Sequence, residues 1–156
     1  MVEIIKAEEQ HIPYIGKLWL EFIRFHQDID PIFTLCDDAL SGFEKEMVRR
    51  LMKSPDGLVL VALDKERAVG YSLSEIKGPS KGLKRDNYGY VHHIAVTANY
   101  RRRGIAEKML DEIMKWLQSK NLERVELDIT TRNQVAYSFW EKHGFVDYMR
   151  TLYRKI

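Results

Sequence analysis

The stretch that decides the fold is Tyr90–Ala106, which reads Y-V-H-H-I-A-V-T-A-N-Y-R-R-R-G-I-A. Its first part, Tyr90–Thr97, has the β-branched and aromatic residues of a strand, and its end opens an amphipathic helix. The turn between them carries Arg101–Arg103 and Gly104. The first backbone N–H groups of a helix have no intrahelical partner and carry partial positive charge. The stretch therefore predicts an anion-binding site at a helix N-terminus.

The periodicity of apolar residues predicts the other elements on either side of this stretch. Before it we expect a strand (2–7), a helix (Glu9 to about His26), a helix (Asp38–Lys53) and a hairpin around residues 64–67. After it we expect a helix (Arg103–Ser119), a strand (Glu123–Thr131), a short helix (Asn133–His143) and a last strand (Phe145–Ile156). The predicted order is β-α-α-β-β-β-α-β-α-β, an α/β fold with a mixed sheet and helices on its faces.

Length and composition narrow the functional classes. A chain of 156 residues is expected to form one domain, residues 1–156. No apolar run approaches the ~20 residues of a membrane span, and the charged N-terminus does not resemble a signal peptide. The single Cys36 excludes an intrachain disulfide, which fits a reducing, cytoplasmic location. The 25 basic residues are nearly balanced by 23 acidic ones, which counts against a nucleic-acid partner.

Two motifs carry a resemblance to a known family. Arg101-x-x-Gly104-x-Ala106 resembles the Q/R-x-x-G-x-G/A pyrophosphate loop of the GCN5-related N-acetyltransferase (GNAT) superfamily. The segment from Asn133 through Ala136 and Trp140 to Phe145 resembles the N-x-x-A-x-x-x-Y-x-x-x-G-F helix of the same family. The two motifs stand in the family's order and at about its separation. The chain is therefore identified as a GNAT member over nearly its whole length.

The resemblance implies a mostly antiparallel sheet and an N-acetyltransferase that moves the acetyl group of acetyl-CoA to an amine, with no metal. In the family the pyrophosphate binds the loop and helix start, the pantetheine pairs with the preceding strand, and the next helix lines the other side. The cofactor contacts implied here are Ile94, Ala95, Val96, Arg101, Arg102, Arg103, Gly104, Ile105, Ala106, Glu107, Asn133, Ala136 and Trp140.

Acetyl transfer requires a neutral amine, so a proton acceptor is needed. Keeping a lysine-like amine of pKa ~10.4 neutral at pH 7 costs roughly 4.6 kcal/mol. Family members often place a base on the central strand, where Tyr90 and His92 stand on one face by strand alternation. His92 is the better candidate because an ordinary imidazole titrates near pH 6.5. A structural histidine and water-relayed deprotonation are the alternatives, and His93 is expected to pack on the opposite face.

The sequence departs from the family at Trp140, where a tyrosine that protonates the thiolate is common. An indole N–H is a donor but not an acid at neutral pH, so the resemblance leaves Trp140 a binding role. Tyr137, one turn earlier, is a candidate substitute acid, with core packing as the alternative.

The acceptor is left open as a small-molecule amine, a polyamine or a protein amine. The resemblance places the acceptor cleft between the first two helices and the loop before the central strand. The candidate cleft residues are Trp19, Phe22, Phe25, His26, Asp28 and Asp30, with Lys77, Lys81, Lys84 and Arg85 from the loop. Core packing of the aromatic residues and a solvated acidic loop are the alternatives. The alternative to the enzyme is a non-catalytic acyl-CoA-binding sensor or regulatory module. Many relatives are dimers, so the resemblance makes a homodimer a candidate assembly; no membrane partner is expected.

Overall fold

A computed structural model describes all residues, 1–156. One five-stranded sheet runs in the spatial order β1-β2-β3-β4-β5. The strands are β1 (Val2–Lys6), β2 (Gly57–Asp64), β3 (Arg67–Lys77), β4 (Tyr88–Val96) and β5 (Val125–Glu126). The first four pair antiparallel in succession, and β5 pairs parallel to β4. The mixed, mostly antiparallel sheet confirms the predicted fold class.

Helices cover both faces of the sheet. They are α1 (Ile12–Ile29), α2 (Ala39–Gly42), a π-helical segment (Phe43–Arg49) that leads into α3 (Arg50–Lys53), α4 (Ile105–Ser119) and α5 (Gln134–Lys142). One core cluster joins α1 and α3 to Tyr71 and Leu73 of β3. A second joins α4 to Leu58, Leu60 and Val91 on the opposite face. None of these helices is long and apolar enough to cross a membrane.

Strand β5 is shorter than the predicted strand Glu123–Thr131. Only Gly89 and Tyr90 of β4 pair with it, opposite Val125 and Glu126. The predicted alternation holds locally, since Val125 packs against the α4 cluster. The two strands diverge beyond Tyr90, and the rest of β4 has no strand partner on that side. This divergence opens the sheet next to the arginine turn.

The predicted last strand, Phe145–Ile156, is not formed, so the observed order ends at α5. Its apolar side chains Tyr148, Met149 and Leu152 are largely exposed. A strand forms only where a neighbouring strand can accept and donate the hydrogen bonds of its backbone groups. The two-residue ladder of β5 offers too short an edge for a twelve-residue partner. The sequence of this segment does not indicate the lack of a partner.

A β-bulge in β4 changes the direction of one histidine. Leu73 of β3 pairs with His93, whereas the next residue, Ser74, pairs with Val91, so His92 is the extra residue. A bulge sets two residues of one strand against one of the other and breaks the alternation of faces. His93 therefore lies on the same face as His92, and the prediction that it faces the other side is wrong. Its packing role is confirmed, because its ring lies 4.8 Å from that of Phe22.

Close packing between α3 and β2 gives a stability prediction at Gly57. A Cβ there would overlap the backbone oxygen of Leu51, which cannot yield as a flexible side chain can. Gly57→Ala is expected to destabilise the fold by about 1–3 kcal/mol, as overpacking does. Gly42→Ala is the matched control, since its Cβ would meet nothing within 4 Å on a helical backbone. That variant is expected to gain about 0.5–1 kcal/mol. Urea unfolding of both measures the difference, and equal stabilities would contradict the packing argument.

Candidate active site

A cavity lies at the end of β4, beyond the residues that pair with β5. It has a volume of about 630 Å³ and is lined by α1, the end of β4, the arginine turn and α5. On the β4 side it is lined by Ile94, Ala95 and Val96. Because this edge of β4 has no strand partner, its free peptide groups can pair with an extended ligand, as a further strand would.

The turn between β4 and α4 presents a row of free backbone donors. The six N–H groups from Arg102 to Glu107 donate to no group of the protein, and the first helical bond runs from Lys108 N to Gly104 O. Gly104 has φ 75° and Arg102 has φ 59°, both left-handed. Such a turn, followed by a helix N-terminus, forms a concave group of N–H donors suited to phosphate oxygens.

The three arginine side chains have different positions. Arg101 donates through Nε to the Val96 carbonyl oxygen at 3.0 Å, which holds the turn against the end of β4. Arg101 and Arg102 line the cavity, together with Gly104, Ile105, Ala106 and Glu107 as predicted. Arg103 does not line it, and its guanidinium lies 4.8 Å from the ring centre of Tyr100. The structure thus places every predicted cofactor residue on the cavity wall except Arg103.

Helix α5 forms the opposite wall through Asn133, Ala136 and Trp140. Asn133 is 6% exposed, and its Oδ1 accepts a hydrogen bond from Ala136 N at 3.1 Å, which caps the helix. This bond leaves the side-chain amide donor without a protein partner. Trp140 packs edge-on against Phe139 and Phe145 and reaches the cavity with its remaining surface.

The two carboxylates on the cavity wall are already paired with cations. Glu21 accepts from Thr97 Oγ1 at 2.8 Å and from Ala98 N at 2.9 Å, beside Arg101. Glu107 accepts from Lys142 Nζ at 2.6 Å. With Arg102 also on the wall, cationic side chains outnumber carboxylates there. The electrostatics of the cavity therefore favour an anionic ligand.

His92 does not line the cavity. Its Nε2 is 2.7 Å from Glu75 Oε1, and its ring meets that of Tyr90 edge-on at 4.8 Å. Burial lowers the pKa of His92 and outweighs Glu75, which raises it. Burial also lowers the pKa of His93 to about 3, so that ring is neutral. The predicted shared face of Tyr90 and His92 is observed.

Neither candidate tyrosine lies on the cavity wall. Tyr90 donates its hydroxyl hydrogen to Asp128 at 2.6 Å, and burial followed by this bond raises its pKa well above the ordinary value. Tyr137 donates to Asp147 at 2.8 Å, and that bond is the main cause of its raised pKa. A raised pKa makes a phenol a weaker acid at neutral pH. The position of Tyr137 gives no support to its expected role as substitute acid.

The partner of His92 was not identified from the sequence. Glu75, on β3, is the partner of His92, and only the antiparallel register of β3 and β4 brings them together. His26, one of the expected cleft residues, lines the cavity with Phe22 and Phe25. Its Nδ1 lies 2.8 Å from the Phe22 carbonyl oxygen, which can only accept. The Nε2 of neutral His26 therefore carries the free lone pair.

The family model for the acetyltransferase (GNAT) family matches residues 22–145. The chain belongs to this family. It is 28% identical over 130 residues to N-alpha-acetyltransferase 30 of Schizosaccharomyces pombe, across 83% of this chain and 84% of the relative. It is 32% identical over 90 residues to an N-alpha-acetyltransferase of Saccharolobus solfataricus, across 54% of each chain. This GNAT protein is therefore an acetyl-CoA-dependent N-acetyltransferase.

Solved structures share the fold of this GNAT protein. A tetramutant of the Bacillus halodurans protein BH1408 has a TM-score of 0.85 at 17% identity, with 99% of each chain covered. An aminoglycoside N-acetyltransferase in complex with CoA has a TM-score of 0.75 at 16% identity, with 100% of this chain and 95% of that chain covered. The row of N–H donors and the unpaired β4 edge fit the diphosphate and the extended arm of CoA.

Proposed function

We propose that this GNAT enzyme acetylates a primary amine by direct attack on acetyl-CoA in a ternary complex. The observation that carries the proposal is the row of six free N–H groups from Arg102 to Glu107, next to the unpaired edge of β4. The first feature suits the pyrophosphate and the second the pantetheine. Bound acetyl-CoA supplies the acetyl group as a thioester.

The chain's own residues have distinct roles in this proposal. Ile94, Ala95 and Val96 orient the arm through their backbone groups, and Trp140 and Phe139 exclude water on the opposite side. His92 takes a proton from the acceptor amine, because it is a neutral imidazole on the strand that carries the cofactor. Trp140 retains a binding role without acting as an acid.

We propose the N-terminal α-amine of a polypeptide as the acceptor. An α-amine has a pKa of about 7.7–8.0, so keeping it neutral at pH 7 costs only about 1–1.4 kcal/mol, against roughly 4.6 kcal/mol for a lysine amine. A histidine whose pKa is lowered by burial is a weak base and suits the less basic amine. The names of both relatives support the same acceptor class.

A panel of matched acceptors tests this proposal. One peptide carries a free N-terminus and a blocked lysine, and a second of the same sequence carries a blocked N-terminus and a free lysine. We expect CoA release at pH 7.5 with the first peptide, at least about tenfold faster than with the second or with an aminoglycoside. Faster turnover of the lysine peptide or the aminoglycoside would contradict the α-amine assignment. Tight CoA binding without turnover of any amine would favour the sensor.

A further inference from the structure

A charged cluster on β3, β4 and α3 surrounds the proposed proton acceptor. His92 Nε2 lies 2.7 Å from Glu75 Oε1, and Glu75 Oε2 accepts from Arg50 Nη1 at 3.0 Å. The His92 and Glu75 side chains are each only 15% exposed, so water screens their interaction weakly. Lys77 Nζ lies 4.0 Å from the same carboxylate. Neither of the two family motifs contains Glu75 or Arg50.

The hydrogen bond to Glu75 determines which nitrogen of His92 can act as a base. An ionised carboxylate only accepts hydrogen bonds, so Nε2 must carry the hydrogen and donate it. In the neutral ring the lone pair is then on Nδ1. No group of the protein forms a hydrogen bond with His92 Nδ1. The ring is thus held in one tautomer with its basic nitrogen free.

We propose that Glu75 is a positioning residue that holds His92 in the Nε2–H tautomer, so that Nδ1 receives the proton of the acceptor amine. This inference rests on the proposed function. Arg50 keeps Glu75 in place and ionised from the α3 side. The register of the two strands supports the arrangement, because Tyr90 pairs with Glu75 and His92, two residues after Tyr90, lies on the same face of β4.

The surrounding charges give each partner the state that the proposal needs. Glu75 and Lys77 face His92 from β3, Arg50 faces it from α3, and Tyr90 and His93 lie beside it on β4. Burial raises the pKa of Glu75, but the hydrogen bonds from Arg50 and His92 together hold it below its usual value. Burial lowers the pKa of His92 despite Glu75. At neutral pH the pair is therefore a carboxylate and a neutral imidazole.

The proton balance of the reaction is complete with these groups. The acceptor ammonium loses one proton to His92 Nδ1, and Glu75 stabilises the imidazolium without being protonated. The neutral amine nitrogen forms a bond to the acetyl carbonyl carbon, the carbon–sulfur bond breaks, and the thiolate takes a second proton from the same nitrogen. His92 then releases its proton to water. Each turnover thus converts one ammonium and one thioester into one amide, one CoA thiol and one released proton.

The test compares Glu75→Gln with Glu75→Asp and with Glu9→Gln, which removes an exposed ion pair to Arg49 elsewhere. Glutamine removes the charge that favours the imidazolium, so the acid limb of the kcat/KM profile should move to lower pH. We expect kcat to fall by at least about tenfold, with an unchanged KM for acetyl-CoA. Glu75→Asp should keep the limb near its wild-type position. Glu9→Gln should change neither kcat nor the pH at which the acid limb of the kcat/KM profile lies.

Nitrogen-15 NMR of the His92 ring gives a readout that does not depend on turnover. Wild type should show the Nε2–H tautomer, and Glu75→Gln should show a mixture, since an amide can donate or accept. If an active Glu75→Gln variant keeps the wild-type acid limb and the wild-type tautomer, the role of Glu75 is overturned and the proposed function stands. Absence of amine acetylation by wild type would instead overturn the proposed function and the proton-transfer role with it. The two failures are therefore distinguishable.

Discussion

Gly104→Val is expected to abolish CoA binding while the protein remains folded. Gly104 has φ 75°, a left-handed conformation that costs a residue with a Cβ about 1–3 kcal/mol and a β-branched one most. The turn should relax by rotating its peptides, which turns the free N–H groups from Arg102 to Glu107 away from one centre. Losing two charge-assisted hydrogen bonds, each worth about 1.5–3 kcal/mol, should weaken CoA binding by at least about 100-fold. Calorimetric titration with CoA measures this.

Gly82→Val is the matched control for this prediction. Gly82 also has a positive φ, 86°, and a Cβ there meets nothing within 4 Å. The two variants therefore carry the same kind of backbone strain, and thermal unfolding should show similar small losses of stability. Only Gly104→Val should lose CoA affinity. Normal affinity in that variant would remove the phosphate-binding role from the turn, and equal losses in both would point to general destabilisation.

The cofactor half of the site could be predicted from sequence because its information is local. A strand end, a left-handed glycine and a helix start follow one another within Val96–Ala106, so their order alone predicts a row of free N–H groups. Asn133 was predicted as a cofactor contact only through the resemblance to the family, although its capping bond to Ala136 is itself local. Arg103 shows the limit of such reasoning. Its backbone belongs to the row, but its side chain lies over Tyr100.

The catalytic half depends on contacts between distant residues, which local patterns do not encode. Strict alternation predicted opposite faces for His92 and His93, and the bulge that overturns this appears only in the pairing with β3. Glu75 meets His92 across the same two strands, 17 residues away in sequence. The missing last strand has a similar cause. Its pattern is that of a strand, but β5 provides no ladder of matching length.

His92→Ala is expected to reduce turnover by about 10²-fold or more with little change in CoA affinity. General base catalysis contributes about 10²–10⁴-fold, and alanine removes the whole imidazole ring, including Nδ1, the proposed proton acceptor. The loss should shrink as the pH rises, because the acceptor amine then deprotonates without help. The sign follows from the amine: below its pKa a base must remove the proton, and above its pKa no base is needed. Initial rates of CoA release between pH 6 and about 9.5 measure both effects.

His26→Ala is the comparison that decides between two candidate bases. His26 lines the cavity and has a free Nε2, whereas His92 does not line it and has a carboxylate partner. If His92 is the base, the turnover rate of His92→Ala should rise more steeply with pH than that of wild type. His26→Ala should mainly raise KM for the acceptor. A steeper profile for His26→Ala and a wild-type profile for His92→Ala would move the proton acceptor to α1. The Glu75–His92 pair would then be a structural contact between β3 and β4.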